Sequence, residues 1–405
     1  MDSKILLSPT GLTVSAYTPL IDLSGARVYI PRGRLFDSNM NDRIISYAHE
    51  LSNDWGYKSI PLVLGGTQDY LDEWFENGLG RHIEVNNTYG QIIASGFVNR
   101  VTTISNTLQA SRGPLVEVCN RASVVYTPII DVSVSPPLTG AVKSTIITED
   151  DDSQNKYGII EKVISGGQLL DDGTTNEAED YRDRYLDETK EPNTGDKSLS
   201  LGSSSQPSIQ LEVLGYYAWF DLYVYTNVTT LTTTMTTKMQ AVFAADPNDI
   251  FSTDYADVED NNLLVANYDN DNRTAKSILE EMVKRGNDVD DQRRVFGVFE
   301  NQKIYYNTIP NNYEYYYKVS GRNQNIWLYS GGETGAVVNP WDVKAGRWLF
   351  IGDFLPGRFS DFTNKKDDPR SMFIESVSFS APHGLSINGI GVSELAQYLA
   401  KLGVS

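Results

Sequence analysis

Residues 79–128 read LGRHIEVNNTYGQIIASGFVNRVTTISNTLQASRGPLVEVCNRASVVYTP, and this stretch decides the fold class. It contains short apolar runs rich in β-branched residues, interrupted by Asn86-Asn87 and Tyr89-Gly90. Such runs on both sides of turn-forming residues predict two strands joined by a tight turn. Three further short strands are predicted at a spacing of about eight to twelve residues, which favours a small antiparallel barrel or sandwich. The stretch supplies no nucleophile, metal-ligand cluster or phosphate loop, so we expect it to pack and not to react.

The same stretch carries a family resemblance. Its pattern GR-x-IEV…G-x-I…GFVNRV…GPL-x-E-V-x-NR-x-x-VVYTP resembles a barrel domain of tailed-bacteriophage tail proteins, above all the baseplate hub (tail hub) proteins. Two later segments, TAKSILEEMVKRGND…RRVFGVFENQKIYY and PWDVKAGRWLFIGDFLPG, resemble the same family in the same order. The resemblance implies two related β-barrel domains per chain, in a trimer whose six barrels match the sixfold tail tube.

The predicted fold class is mainly β with a few helices (a β-rich α+β fold). It consists of two small antiparallel β-barrel domains of the phage tail-hub type, separated by an acidic insert. The predicted units are residues 1–140 as the first barrel with a short helix at about 67–76, 141–207 as an acidic, flexible insert or linker, 208–256 as connecting strands and a helix, 257–375 as the second barrel with a helix at 273–284, and 376–405 as a C-terminal strand and short helix.

Local patterns support these assignments to different degrees. Residues 43–64 fit either a helical stripe or alternating strands, and the hub resemblance favours a strand–turn–strand around Asn53–Gly56. The two predicted helices have apolar residues on one face, namely Tyr70, Leu71, Trp74 and Phe75 in the first and Ile278, Leu279 and Met282 in the second. Residues 393–400 predict a short closing helix.

The insert is defined by its charge. Between residues 149 and 196 there are 15 acidic and 5 basic residues, a net charge of −10. Low hydrophobicity with high net charge predicts a flexible segment, and the stretch LGSSSQPS that follows is typical of a linker. An apolar island within the insert, residues 157–164, leaves open a strand pair that docks on a neighbour.

Composition limits the classes of function. A chain of 405 residues can form two or three domains, and its formal net charge of −19 argues against binding nucleic acid or an anionic membrane surface. Cys119 is the only cysteine, which excludes an intramolecular disulfide and a cysteine-based metal site. The apolar runs are shorter than a membrane span, and the first residues lack a signal-peptide pattern. We therefore expect synthesis in the host cytoplasm and no membrane span.

Residue patterns for catalysis are weak. The three histidines are His49, His82 and His383, and no GxSxG nucleophile motif accompanies them. His49-Glu50 lacks the second histidine of a zinc protease motif. We expect structural or surface roles for all three histidines, and no enzymatic activity.

Two binding patterns have simpler explanations. Asp269, Asp271 and Glu280 have the 1, 3 and 12 spacing of a calcium loop, but the helix begins there, so capping explains them better. Four tryptophans could stack on sugars, although packing in the core is the preferred interpretation: Trp219, Trp327, Trp341 and Trp348. No metal or other cofactor is expected.

Arg81, Arg100 and Arg121 are the more informative charges, because they flank predicted strands in an acidic protein. One interpretation is that they form local salt bridges that fix strand ends. The other is that they contact the acidic surface of a neighbouring copy, since arginine is enriched at interfaces. If residues anchor a ring, we expect these three.

The sequence thus predicts a structural ring component at the baseplate or tail-tip hub of a phage tail. Its expected partners are its own copies, as a homotrimer or alternatively a hexamer, together with the tail tube or distal tail protein and tip, spike or fibre proteins. The expected location is the virion, assembled in the bacterial cytoplasm. The alternatives are a hexameric distal tail adaptor and a carbohydrate-binding β protein.

Overall fold

The computed structural model describes residues 13–17, 43–86, 92–104, 108–195, 197–199, 207–286, 294–309, 312–320, 325–330, 332–355, 370–380 and 384–389. Up to residue 131 the elements are β1 (Thr13–Tyr17), β2 (Ile44–Ser52), β3 (Asp54–Gly65), α1 (Gln68–Asn77), β4 (His82–Asn86), β5 (Ile92–Ile104), β6 (Leu108–Gln109), β7 (Ser111–Arg112) and β8 (Arg121–Asp131).

The middle of the chain contains β9 (Leu138–Thr139), β10 (Lys143–Ser144), β11 (Thr148–Glu149), α2 (Asp151–Tyr157), β12 (Glu161–Leu170), α3 (Glu177–Thr189), β13 (Ser198–Leu199), β14 (Ser208–Leu214), β15 (Thr232–Thr234), α4 (Met235–Ala244), β16 (Leu264–Ala266) and α5 (Ala275–Lys284). The last part contains β17 (Val295–Val298), β18 (Ile304–Asn307), β19 (Tyr313–Tyr317), β20 (Ile326–Ser330), β21 (Glu333–Val338), β22 (Trp348–Ile351), β23 (Ser371–Phe373), β24 (Ser376–Ser380) and β25 (Gly384–Asn388).

A large sheet of eleven strands forms the centre, in the order β1-β4-β5-β14-β3-β2-β24-β25 with β7, β17 and β18 attached to it. Successive side chains of a strand point to opposite faces, and alternate residues of β3 are fully buried: Ile60, Leu62 and Leu64. The sheet joins distant parts of the chain, because β3 also pairs with β17 and β2 pairs with β24. The core that it supports extends in sequence from Ile44 to Phe379.

The mainly β class with a few helices is confirmed. Within the described ranges no closed barrel is found, where the sequence predicts two. The large sheet has two ends, β1 and β25, and it also contains a parallel pair, β17 with β3. The strands β14, β24 and β25, from later in the chain, pair within this sheet, so its first strands do not form a barrel by themselves. The predicted domain boundaries stay a prediction.

A second sheet is built around β8. The strand β12 pairs with β8 in parallel, and β9, β10 and β11 pair with its other edge in antiparallel orientation. The helix α3 covers one face, where Ala178 and Leu186 pack with residues of β8. Most of the predicted flexible insert is therefore regular structure, since the acidic side chains of α3 face outward while its few apolar ones pack inward.

A third sheet has the order β21-β20-β19-β22-β23. Its Tyr315, Ile326 and Leu349 belong to the same core as the large sheet. The segment 340–342 connects the two layers, because Trp341 packs edge-to-face on Phe379 of β24, with ring centroids 5.9 Å apart.

Several local predictions have direct counterparts. The strand–turn–strand around Asn53–Gly56 is confirmed by β2 and β3, which pair in antiparallel orientation. The helix α1 buries Leu71 and Trp74, and α5 begins after Thr274, whose side chain accepts a hydrogen bond from the Ser277 backbone N–H. The predicted helix 393–400 lies outside the described residues, as do most of residues 1–35.

Candidate interaction surface

Arg81 is held inside its own chain, with 2% of its surface exposed. Its Nε donates to the carbonyl of Asn77 at the end of α1, and its guanidinium lies 5.7 Å from the centre of the Trp74 ring. The carboxylate of Glu73 is 3.8 Å away, and burial lowers the pKa of the guanidinium to about 10. Arg81 thus fixes the end of α1 beside β4, and its expected role as a ring anchor stays a prediction.

Arg100 and Arg121 remain partly accessible. Arg100 of β5 lies 3.7 Å from Glu212 on the neighbouring strand β14. Arg121 of β8 lies 3.2 Å from Glu149 and 3.9 Å from Glu161, on the two strands that flank it. These local ion pairs match the interpretation that the arginines fix strand ends. The interface role of Arg100 and Arg121 stays a prediction, and no shared acidic partner in the described part of the chain brings the arginines together.

Each of the two described histidines contacts a residue of its own strand, and His82 also contacts Tyr216 after β14. His49 of β2 is buried, its Nδ1 lies 2.7 Å from the Tyr47 hydroxyl, and burial lowers its pKa to about 4. The Nδ1 of His82 lies 2.6 Å from the hydroxyl of Tyr216, and its Nε2 lies 2.9 Å from the carboxylate of Glu84. His383 lies outside the described residues.

The tryptophans pack against neighbouring rings. Trp219 is buried and meets Phe97 edge-to-face at 5.2 Å, and Trp348 meets Phe373 at 5.3 Å. These contacts support core packing. Trp327 lies on β20 and is partly buried.

Asp269, the first residue of the calcium-loop pattern, forms ion pairs within the chain. The carboxylate of Asp269 is buried, accepts a hydrogen bond from Lys238 Nζ at 3.2 Å and lies 4.0 Å from Arg273. Among the residues with described side chains, no group of His, Cys, Asp and Glu could hold a metal ion. The described helices include none that is long and apolar enough to cross a membrane.

The most unusual surface is an apolar arm, defined as residues 132–147, which follows β8 directly. Lys143 is its only charged residue. Every residue of the arm is exposed except Gly140 and Thr145, which are partly buried. Six large aliphatic side chains are between 46% and 73% exposed: Val132, Val134, Leu138, Val142, Ile146 and Ile147. A soluble protein rarely exposes so many neighbouring apolar groups unless another surface covers them.

From Leu138 to Ile146 the backbone of the arm is nevertheless held by strand pairing and hydrogen bonds. β9 and β10 pair with β8, and the N–H groups of Gly140 and Thr145 donate to carbonyls of β8 at 2.8 and 2.9 Å. At the far end, Arg182 of α3 donates to the carbonyl of Ile146 at 3.0 Å. A fixed backbone with exposed apolar side chains can bind a partner with little loss of conformational entropy.

The sequence patterns do not predict the arm. The predicted boundary at residue 140 divides it, and the acidity of residues 149–196 determined how the region was interpreted. The available signal was a run of 16 residues with one charge, next to a highly charged segment.

A cleft lies between the large sheet and the third sheet, with a volume of about 610 Å³. We call it the sheet cleft. Its wall includes the apolar and aromatic residues Leu51, Tyr57, Ile93, Phe299, Tyr315, Leu328, Val337, Trp341 and Val343. Leu328 and Val337 are 43% and 45% exposed. Three carboxylates and one lysine also line it: Glu300, Glu314, Asp342 and Lys344.

The charged groups of the sheet cleft are held in place. The hydroxyl of Tyr57 donates to Glu300 at 3.1 Å, and Arg347 lies 2.8 Å from Glu314. Burial and the Glu300 carboxylate raise the pKa of Tyr57 well above its ordinary value. The cleft is therefore a concavity of mixed polarity whose apolar, aromatic and acidic side chains line a volume typical of binding sites.

Comparisons with known proteins give little further information. No protein-family model matches the chain, and no curated protein matches it. Among solved structures, the chain is similar to the crystal structure of the 43 kDa tail protein of prophage MuSo2 from Shewanella oneidensis. The two share 9% sequence identity with a TM-score of 0.35, over 87% of this chain and 93% of that one. A TM-score this low carries no argument about this chain.

Proposed function

We propose that the chain is a non-enzymatic structural component of a bacteriophage tail, which forms the baseplate or tail-tip hub ring between the tail tube and the distal tip. The tail-hub resemblance of residues 79–128 supports the proposal. This stretch includes β4 and β5, which are neighbours in the large sheet, and β8, which the apolar arm follows. The segment that carries the resemblance is thus followed directly by the exposed arm.

The observation that carries the proposal is the exposed apolar arm. Full burial of one Val, Leu or Ile side chain contributes about 1.5–3 kcal/mol, so six half-exposed ones offer on the order of 6 kcal/mol. Association costs about 4–15 kcal/mol in lost freedom of motion. The arm is large enough to matter in assembly, but it requires a complementary surface to make a stable contact.

The net charge of the chain also favours an interface at the arm. Each copy carries a formal charge of −19, so copies repel one another over most of their surface. A contact between copies is least unfavourable where charge is sparse, and the arm is such a surface. Identical copies joined through two different patches close into a ring when the rotation between them permits it.

Light scattering on a dilution series of the purified chain tests this proposal. A species near three times 45.1 kDa is the expected result and corresponds to a hub trimer. A hexamer would contradict the hub assignment and favour the distal tail adaptor. A monomer at every concentration would contradict a ring formed by this chain.

A further inference from the structure

We propose that the apolar arm of one copy inserts into the sheet cleft of the next copy, and that this contact builds the ring. The inference rests on the proposed function, because it needs several copies of the chain in one assembly. It adds the two surfaces that meet and the residues that determine their affinity.

Both surfaces expose apolar groups. The arm presents aliphatic side chains, and the cleft is a concavity of about 610 Å³ whose wall contains apolar and aromatic residues. Leu328 and Val337 of the cleft are exposed, as are Val142 and Ile146 of the arm. Insertion would cover exposed apolar groups on both copies at once.

Charge also agrees. Lys143 is the only charged residue of the arm, and its side chain is 57% exposed beside Asp171. The cleft has three carboxylates against Lys344 and Arg347, the latter 2.8 Å from Glu314, which leaves one negative charge in excess. Lys143 therefore meets a surface with a net charge opposite to its own, whereas contact between two arms would bring two copies of Lys143 together. This difference favours arm-in-cleft contact over arm-to-arm contact.

The geometry favours contact between copies. No arm residue is among the described residues that line the cleft, so the two surfaces are separate patches of one chain. A contact between two different patches is heterologous and leaves a free arm and a free cleft at the ends of any open chain of copies. When the copies close into a ring, the free arm at one end binds the free cleft at the other end.

Two variants test the inference, Val142→Asp in the arm and Val337→Asp in the cleft. Each places a carboxylate in the proposed contact and is expected to weaken self-association by roughly 30-fold or more, the size of a hot-spot loss. When the two variants are mixed, a heterodimer is expected, because one intact arm then meets one intact cleft. Light scattering and native mass spectrometry measure both effects.

Matched controls are Val228→Asp and Val319→Asp, at valines that are 71% and 55% exposed outside the arm and the cleft lining. Both are expected to keep the wild-type mass, and circular dichroism checks that all four variants fold. An oligomeric wild type that is insensitive to Val142→Asp or to Val337→Asp would overturn the inference and leave the proposed function standing. Absence of a heterodimer in the mixture would overturn it as well. A monomeric wild type would overturn the proposed function itself.

Discussion

The strand β5 and the apolar arm are close in sequence and similar in composition, but their environments are opposite. β5 has β4 on one side and β14 on the other, and its Phe97, Val98 and Val101 are buried. The arm pairs with β8 on one edge, and its aliphatic side chains are exposed. The difference shows that apolar, β-branched sequence can form either one long strand or a mostly irregular segment with two short strands, and that burial depends on whether another layer of the same chain covers it.

The largest expected difference between the two regions is in stability. Phe97→Ala removes a side chain that is 1% exposed and packs on Trp219 and Tyr216, so we expect it to lower the free energy of unfolding by about 3–5 kcal/mol. Ile146→Ala in the arm is expected to change that free energy by about 0.5 kcal/mol or less. Urea denaturation measures both variants in the monomeric state. Equal losses would show that the arm is packed within its own chain.

The buried region should also respond to pH through His49. Its ordinary pKa of 6.5 falls to about 4 on folding, so between these values the unfolded chain binds a proton that the folded chain does not. Stability is therefore lost as pH falls from about 6.5 to 4. Because one pKa unit corresponds to about 1.4 kcal/mol, His49→Gln should remove about 3 kcal/mol of this acid sensitivity.

Denaturation of wild type and His49→Gln at several pH values between 7 and 4 measures the effect. Tyr47→Phe is the control, since it removes the hydroxyl partner of His49 and keeps the titrating ring. Its stability should still fall with pH. Parallel curves for wild type and His49→Gln would contradict the assigned pKa.

A smaller difference in folding stability is expected between variants of the buried Arg81 and the partly exposed Arg100. Arg81→Ala breaks the hydrogen bond to Asn77 and the contact with Trp74, so we expect a loss of about 2 kcal/mol in folding stability. Arg100→Ala should cost about 1 kcal/mol or less, because its ion pair with Glu212 is partly exposed. Thermal and urea denaturation distinguish them. A larger loss for Arg100→Ala would reverse the structural roles assigned to the two arginines.

Local structure can be predicted from the sequence where a periodic pattern of apolar side chains and a turn signal occur together. The pair β2 and β3 and the helices α1 and α5 follow from side-chain periodicity and end signals. The strand β14 shows the limit. Its strand pattern continues to residue 226, but the strand ends at Leu214 and a short 3-10 helix, Tyr216–Asp221, follows; at the turn, Gly215 lies so close to Tyr57 that a Cβ atom there would be 1.6 Å from the Tyr57 carbonyl oxygen. That close approach is tertiary and leaves no signal in the pattern.

The candidate surface was less predictable for the same reason. The aliphatic residues of the arm resemble those of a buried strand, although Pro136-Pro137 interrupt it, and among the described residues its large aliphatic side chains stay exposed. The sheet cleft depends on segments as distant as Leu51 and Val343, which only the folded chain brings together. The arginines were found by sequence because charge near a strand is a local property, but their burial is not.

Hydrogen exchange at two protein concentrations, read by mass spectrometry, tests the central claim most directly. The claim is that the arm, which is exposed in a single copy, is covered by another copy in the assembly. In peptides from residues 132–147, exchange should be slower in the concentrated, assembled sample than in the dilute one. In peptides from β5 it should be equal in both. Equal exchange of the arm peptides in an assembled and a dilute sample would contradict the claim.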